Sequence, residues 1–280
     1  MVNVAVAGGT GGPRENDSNV IKVDYSNIDQ LVAILGANNI HTVICCFAVE
    51  GNSLAESQLN LIQAASQSKV TRRFVPTAYA IPYPQEALKA LPQLKDYFKA
   101  IEMLKESGLQ WTVFLNGIFL DYFCPPDLKS YMKPNVFVID MKNHVAAIPG
   151  DGNVPVTFTY SYDLARFVVA ALDLDEWPEE SRVVGDTLTW NEFVTLAEEI
   201  RGCHFSVHYD SVEKLKRFEV TELPGHRALY DHFPKKGFQW FMSIFELFTT
   251  DATSCIERRG SLNERFPDIQ PLTVREMLMR

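Results

Sequence analysis

A run of glycines is the first feature of this sequence that could do chemistry. The run, Gly8-Gly9-Thr10-Gly11-Gly12, follows an uncharged stretch in which Val2, Val4 and Val6 alternate with other residues. This alternation predicts a short buried strand of a parallel sheet. Glycines after such a strand permit a tight turn and close approach of the backbone to a ligand. The turn could therefore cradle a pyrophosphate, with a plain surface loop as the alternative.

Three side chains could supply a proton to a reaction: Tyr79, Tyr97 and Lys99. A lysine can act as a general acid, or polarise a carbonyl, when burial lowers its pKa. Lys99 lies one helical turn after Lys95, so the two share a helix face, and two solvated lysines are the alternative interpretation. Further aromatic residues could line a substrate pocket or simply fill the core, namely Tyr122, Phe123 and Tyr160.

The elements that must position these residues follow an α/β pattern. Apolar periodicity predicts helices and strands in alternation, the helices over 26–36, 52–67 and 95–107 and the strands over 20–24, 41–47, 73–76 and 111–115. Such a series is typical of a doubly wound parallel sheet, whose ligands bind at the carboxyl ends of the strands. The residues at those ends are Phe47, Pro76, Thr77 and Asn116.

The link after the glycine turn is unusually short. Only seven residues separate Gly12 from Val20. A parallel crossover that contains a helix needs about a dozen residues, whereas seven extended residues reach only roughly 23–25 Å. Either the strand predicted at Val20–Asp24 pairs in another way, or the link is irregular and covers no face of the sheet.

Composition limits the class of protein. The net charge of −9 and the absence of a basic stripe argue against a nucleic-acid partner. No apolar run reaches the ~20 residues that span a bilayer. Five cysteines without regular spacing fit a reducing compartment and suggest no zinc site. We therefore expect a cytoplasmic protein with no signal peptide, no membrane partner and no metal.

Several stretches together resemble a known family, the NmrA-like and isoflavone-reductase-like branch of the atypical short-chain dehydrogenases, particularly its fungal members. They occur in the family's order over nearly the whole chain. The stretches are Val4–Gly12, Val23–Tyr25, Arg73–Thr77, Ser107–Thr112, Asn116–Tyr122, Gly150–Asn153, Asp163–Phe167, Leu188–Glu192 and Leu262–Asp268.

This resemblance implies a Rossmann-like doubly wound fold with a second, smaller and mostly helical part. The expected NAD(P)-binding domain covers 1–123, and substrate-domain elements, interleaved with the last strands of the sheet, cover 124–280. Family members are NADPH-dependent reductases of phenylpropanoid or secondary-metabolite substrates, and some are non-catalytic dinucleotide-sensing regulators. The resemblance thus implies NADPH, a small-molecule substrate and possibly a homodimer.

The chain departs from the family pattern in its first unit. In the family, the glycine turn leads into a helix and a second strand, and neither is visible before Val20. We expect the N-terminal unit to be shortened by these elements. If Val20–Asp24 matches the family's third strand, Asp24 lies near the adenine. Alternatively, its position ~16 residues after Gly8 is close to that of an acid that binds the ribose of NAD.

The family's catalytic lysine is also displaced. Counted back from Gly108, its position falls on or near Tyr97, which Lys95 and Lys99 flank. The acid that follows the family's fifth strand is absent from Thr77–Ala80. Tyr97 and Lys99 are therefore the candidate catalytic residues of a reductase. Two alternatives remain, a non-enzymatic dinucleotide-binding regulator and a chain that has lost a segment.

Overall fold

The computed structural model describes residues 2–8, 20–47, 53–133 and 135–280. The chain divides into two compact units. The first comprises Met1–Tyr79, Pro84–Phe114 and Leu174–Ser181, and the second comprises Ala80–Tyr83, Leu115–Asp173 and Arg182–Arg280.

The described strands are β1 Asn3–Ala7, β2 Ile40–Cys45, β3 Arg73–Val75, β4 Gln110–Trp111, β5 Val113–Leu115, β6 Ile118–Phe119, β7 Ile139–Asp140, β8 Val145–Pro149, β9 Val156–Thr159, β10 Glu180–Arg182, β11 Asp186–Leu188 and β12 Ser206–Asp210. The described α-helices are α1 Ile28–Ala37, α2 Leu59–Gln67, α3 Leu94–Glu106, α4 Ser161–Ala171, α5 Trp190–Arg201, α6 Val212–Lys216, α7 Lys235–Leu247, α8 Leu262–Arg265 and α9 Val274–Leu278.

The first unit is built on a parallel four-stranded sheet. Its strand order is β1-β2-β3-β4, so each strand lies beside the next one along the chain. A π-helical segment, Ser53–Gln58, precedes α2. Strands of this kind separated by helices confirm the α/β fold class predicted from the sequence.

The strand predicted over Val20–Asp24 does not form. These residues have no regular secondary structure, and Val20 and Ile21 are exposed. Consequently β1 is an edge strand among the described elements, and its predicted burial is also wrong, because Val6 is 58% exposed and Val2 44% exposed. The physical reason is that only seven residues link Gly12 to Val20, which is too few for a parallel crossover that contains a helix.

Local side-chain chemistry sets the helix starts. The helix predicted from residue 26 begins after Asn27, which caps α1 because its side chain accepts the N–H of Gln30 at 3.0 Å. The spacing of Thr189 and Glu192 in the sequence predicts a capping box at the start of α5, and it forms: the Thr189 hydroxyl accepts the N–H of Glu192, and the Glu192 carboxylate accepts the N–H of Thr189.

A distant segment returns to the first unit beside β3. The Arg73 guanidinium donates to the carbonyl oxygens of Leu174 and Asp175, the latter at 2.8 Å. Its Cζ atom also lies 4.9 Å from the ring centre of Trp177. Arg73 is 9% exposed, so this bonding holds a charged group that would otherwise be costly to bury.

The second unit packs short sheets and helices around an aromatic core. Its three-stranded sheets have the orders β11-β9-β6 and β12-β8-β7. The ring of Trp190 lies 5.2 Å from that of Phe158 and 5.9 Å from that of Phe123. The stretch 207–215 is part strand and part helix, because β12 ends at Asp210 and α6 begins at Val212.

One acidic side chain in the second unit is buried without a full set of partners. Glu246, on α7, is 2% exposed, and its Oε2 atom has no hydrogen-bond partner among the described residues. Burial and the nearby Asp210 carboxylate raise the pKa of Glu246 well above its usual value. Asp210 is itself buried and accepts hydrogen bonds from Lys214 Nζ and the Thr221 hydroxyl, each at 2.6 Å.

Candidate active site

The glycine turn begins in a backbone conformation that requires glycine. Gly8, directly after β1, has φ +83°, and a Cβ atom built there would lie 2.6 Å from the carbonyl oxygen of Cys46. The hydroxyl of Tyr25 is hydrogen-bonded to the Gly8 backbone. A side chain at Gly8 would therefore disturb the end of β2 as well as the turn.

The ends of β2 and β3 are held together by polar contacts. The Phe47 N–H donates to Thr77 Oγ1 at 3.0 Å, and the Thr77 N–H donates to Gln58 Oε1 at 2.7 Å. The ring of Phe47 meets that of Tyr25 edge-on at 5.1 Å, and Pro76 is buried beside these residues in the chain. The structure thus brings the predicted residues Gly8, Phe47 and Thr77 to one edge of the first unit.

Gln58 is a member of this cluster that the sequence did not reveal. It is fully buried, and its Nε2 group has no hydrogen-bond acceptor among the described residues. A buried amide donor without a partner costs free energy, which a bound acceptor would recover. Because Gln58 lies in an ordinary polar helical stretch, only its contact with Thr77 identifies it.

The other predicted cofactor residues of the first unit differ in their placement. Gly9, Thr10, Gly11 and Gly12 lie outside the described residues. Asp24 is exposed, and its Oδ1 atom accepts hydrogen bonds from the Ser26 N–H at 2.9 Å and hydroxyl at 2.7 Å. These bonds lower the pKa of Asp24, so its carboxylate is anionic at neutral pH. Asp24 directly precedes Tyr25, whose hydroxyl is hydrogen-bonded to the Gly8 backbone.

Two of the three predicted proton donors lie on α3. Tyr97 is partly buried, its ring meets that of Phe98 at 5.1 Å, and burial together with the Glu180 carboxylate raises its pKa to about 12. Lys99 is exposed, as is Lys95. Tyr97 therefore keeps its proton at neutral pH within a partly desolvated setting, whereas Lys99 lies in solvent.

Tyr79, the third candidate donor, is already bonded. Its hydroxyl donates to the carbonyl oxygen of Cys45 at 3.0 Å, and its ring stacks on that of Phe114 at 6.3 Å. Burial is the largest cause that raises the pKa of this hydroxyl well above its usual value. The Cys45 side chain is buried, whereas that of Cys46 is exposed.

Asn116 belongs to the second unit and is fully buried. Its N–H donates to the Ala80 carbonyl at 2.9 Å, and its own carbonyl accepts from the Thr159 hydroxyl at 2.8 Å. The side-chain Oδ1 atom has no partner among the described residues. It therefore offers a buried acceptor that a bound donor group could satisfy.

The aromatic residues predicted as pocket walls fall into two groups. Phe123 is buried in the aromatic core of the second unit, 4.9 Å from Phe193 by ring centres. Tyr160 is also buried, with its ring stacked on that of Tyr162 at 5.4 Å. Tyr122 stays partly exposed, and burial together with the Asp121 carboxylate raises its pKa to about 12.

The described residues fit a dinucleotide better than a metal. Gly8 provides close backbone approach, and Gln58 Nε2, in the same unit, is a buried donor with no hydrogen-bond acceptor among the described residues. No group of three or more His, Cys, Asp or Glu within the described ranges is placed to hold a metal ion. Likewise, no helix in those ranges combines the length and apolar character needed to cross a membrane.

Comparison with known proteins identifies relatives along the whole chain. Oxidoreductase BOA1 of Botryotinia fuckeliana is 32% identical over 299 residues, which cover 97% of this chain and 96% of the relative. Oxidoreductase swnN of Metarhizium robertsii is 28% identical over 328 aligned positions, with 99% and 96% coverage. That alignment is 48 positions longer than the 280-residue chain, so the relative has segments with no counterpart here. No family model matches the chain.

Solved structures share the fold at low identity. The binary complex of leucoanthocyanidin reductase with NADPH from Vitis vinifera superposes with TM-score 0.70 at 16% identity, covering 99% of this chain and 98% of that one. AtPrR2 with NADP+ and (+)-pinoresinol gives TM-score 0.68 at 17% identity, with 92% and 80% coverage. The whole-length match to a fungal oxidoreductase establishes, as the sequence motifs predicted, that the chain belongs to the NmrA-like, isoflavone-reductase-like family of oxidoreductases.

Proposed function

We propose that this protein is an NADPH-dependent reductase of a small organic molecule, in the biosynthesis of a secondary metabolite. The observation that carries the proposal is the cluster of Gly8, Phe47 and Thr77 at the carboxyl ends of parallel strands. That edge is where doubly wound sheets bind dinucleotides. Relatives solved with NADPH or NADP+ support the choice of cofactor.

The residues at this edge would hold the cofactor. Gly8 and, as the sequence predicts, the glycine run Gly9–Gly12 would give the pyrophosphate access to backbone N–H groups, and Phe47, Pro76 and Thr77 would form the wall beside it. The roles of Asp24 near the adenine and of Asn116 stay predictions from the sequence. NADPH, when bound, supplies the hydride, so the protein has to position it, exclude water and donate a proton.

Tyr97 is the proposed proton donor. It lies on or near the position at which the family resemblance places a lysine, and the burial that raises its pKa to about 12 puts the hydroxyl in a partly desolvated setting. Lys99, two residues further along α3, is the second candidate. A positioned acid contributes typically 10²–10⁴-fold to a rate, so loss of the donating hydroxyl has a measurable effect on turnover.

The experiment starts with fluorescence titration of the full chain with NADPH. Saturable binding with Kd below roughly 100 μM supports the cofactor assignment, and no binding overturns the proposal. Turnover is then followed as oxidation of NADPH with pinoresinol, leucoanthocyanidin and phenylcoumaran compounds, which represent the ligands or substrates named for relatives. These compounds serve as probes of the chemistry.

Matched variants then assign the donor on any probe that is turned over. We expect Tyr97→Phe to lower kcat about 10²-fold or more with NADPH affinity unchanged. Lys99→Ala tests the second candidate, and Lys95→Ala, an exposed lysine of the same helix, is its control. If both Tyr97→Phe and Lys99→Ala retain full turnover, neither residue donates the proton.

A non-catalytic dinucleotide-binding regulator is the second candidate function. The observation that favours it is the exposure of Lys99 combined with a tyrosine at the lysine position. Saturable NADPH binding without turnover of any probe supports this alternative. A cytoplasmic location and a possible homodimer, both expected from the sequence analysis, stay predictions.

A further inference from the structure

The outer edge of β1 is an apolar strand edge with free backbone groups. The Cys46 N–H donates to the Ala7 carbonyl at 2.8 Å, so the odd-numbered residue Ala7 faces β2. Strand alternation therefore directs the N–H and C=O of Val4 and Val6 away from β2. No described strand pairs with that side of β1.

The same residues expose apolar side chains. Val6 is 58% exposed and Val2 44% exposed, and Val4 is partly exposed between them. Their side chains share one face of the sheet because strand residues alternate with period two. Proteins usually protect a free edge with lysine, proline or a covering element, and β1 contains no charged residue and no proline.

The valine pattern is complementary to itself. A two-fold axis makes two identical edge strands pair in antiparallel orientation. When such a pair is centred on Val4, Val4 faces Val4 of the second copy, and Val2 faces Val6 of the second copy. All three pairs join residues with outward N–H and C=O groups, so each pair exchanges two hydrogen bonds.

Charge and area indicate what kind of partner fits. The chain carries a net charge of −9, and two copies can approach most easily along a strip without charge, such as Val2–Gly8. A five-residue edge is about 17 Å long and about 10 Å deep, or roughly 170 Å², far below the ~800 Å² per partner of a stable interface. An interface of this size fits a weak, concentration-dependent association.

We propose that two copies of this chain associate through antiparallel pairing of their β1 strands, centred on Val4, to form a weak dimer with one continuous sheet. The pairing satisfies the outward backbone groups of Val4 and Val6 and removes the exposed valines from water. The shortened N-terminal unit is what makes this edge available, because no described strand flanks β1 on its outer side.

Sedimentation velocity of the full chain tests the association. Between roughly 1 μM and roughly 100 μM, the range in which so small an interface dissociates, the mass should rise from 31.7 kDa toward twice that value. Val6→Lys, which places a charge on the edge, should keep the chain monomeric. Val169→Lys is the matched control, because Val169 is a 64% exposed valine on α4, and it should associate like the unchanged chain.

A cross-link tests the register and does not depend on the stability of the lysine variant. Only Val4 faces its own copy across the axis, at a Cα separation of about 5.5 Å that a disulfide can bridge. Val4→Cys should therefore form a disulfide-linked dimer under mild oxidation, above the background of the native cysteines, and Val6→Cys should not. A monomer throughout the concentration range, equal association of Val6→Lys and Val169→Lys, or equal cross-linking of the two cysteine variants would overturn the proposal.

Discussion

The buried Glu246 should make the protein less stable as the pH rises. Below the ordinary pKa of a glutamate, near 4.3, the carboxyl is protonated in both the folded and the unfolded chain and contributes no pH dependence. Above that pH the unfolded chain releases the proton, but the folded chain retains it because Glu246 is buried beside Asp210. Unfolding is then favoured, and stability falls until the pH passes the raised pKa of the folded state.

The size of this effect follows from the number of protons involved, which is one, because a single carboxyl group titrates. One proton retained on folding gives a slope of about −1.4 kcal/mol in the free energy of unfolding per pH unit within that window. Glu246→Gln removes the titration and hence this slope. Because the Gln side chain brings a second N–H donor to the site, its absolute stability includes a separate cost of about 1–3 kcal/mol if that donor stays unpaired.

The assay is denaturant unfolding of the full chain, followed by tryptophan fluorescence, at several pH values from about 5 upward. With rising pH, the difference between Glu246→Gln and the unchanged chain should move in favour of the variant by about 1.4 kcal/mol per pH unit, until the raised pKa of the folded state is reached. Glu199→Gln, an exposed glutamate on α5, should leave the slope of the unchanged chain intact. Equal slopes for the unchanged chain and Glu246→Gln would show that Glu246 does not retain its proton, and the reasoning from burial would be refuted.

Two other substitutions test contacts of the first unit. Gly8→Ala should lower the melting temperature, by an amount equivalent to about 1–3 kcal/mol, because φ +83° and the 2.6 Å approach to Cys46 both oppose a side chain. Gly36→Ala, inside α1 with no atom within 4 Å of its Cβ, should instead stabilise by up to about 1 kcal/mol, so equal melting temperatures would contradict the argument. Arg73→Lys should cost about 2–3 kcal/mol in denaturant unfolding, because a lysine cannot make the same paired contacts with Leu174 and Asp175, and an unchanged midpoint would contradict that role.

The sequence predicted those elements whose signals are local. The capping box at Thr189 and Glu192 places both hydrogen-bonding groups within four residues, so α5 starts where the pattern indicates. The strand predicted at Val20–Asp24 has the right residue types, but a strand needs a partner, and the short link provides no covered crossover. Propensity alone therefore could not distinguish a strand from an extended segment.

The candidate site shows the same division between local and distant information. Gly8 could be found from the sequence because it opens a glycine run after a predicted strand. Thr77 could be found because it lies just beyond the end of β3. Gln58 could not be found, since its role depends on a contact with Thr77, 19 residues away. The attachment of Leu174 to Arg73 spans 101 residues, and no periodic pattern encodes such a contact.

Gly8 also explains why the glycine turn identifies the family more surely than the activity. The close approach of Cys46 and the positive φ would require glycine at this position even if no cofactor bound. The first glycine thus serves the packing of β1 against β2, and binding is an additional use of the same backbone. A chain that had lost catalysis would keep Gly8 for its fold, whereas only a reductase needs a placed proton donor such as Tyr97. If Tyr97 is the proton donor, as we propose, substitutions on α3 rather than at the glycine turn distinguish an enzyme from a regulator.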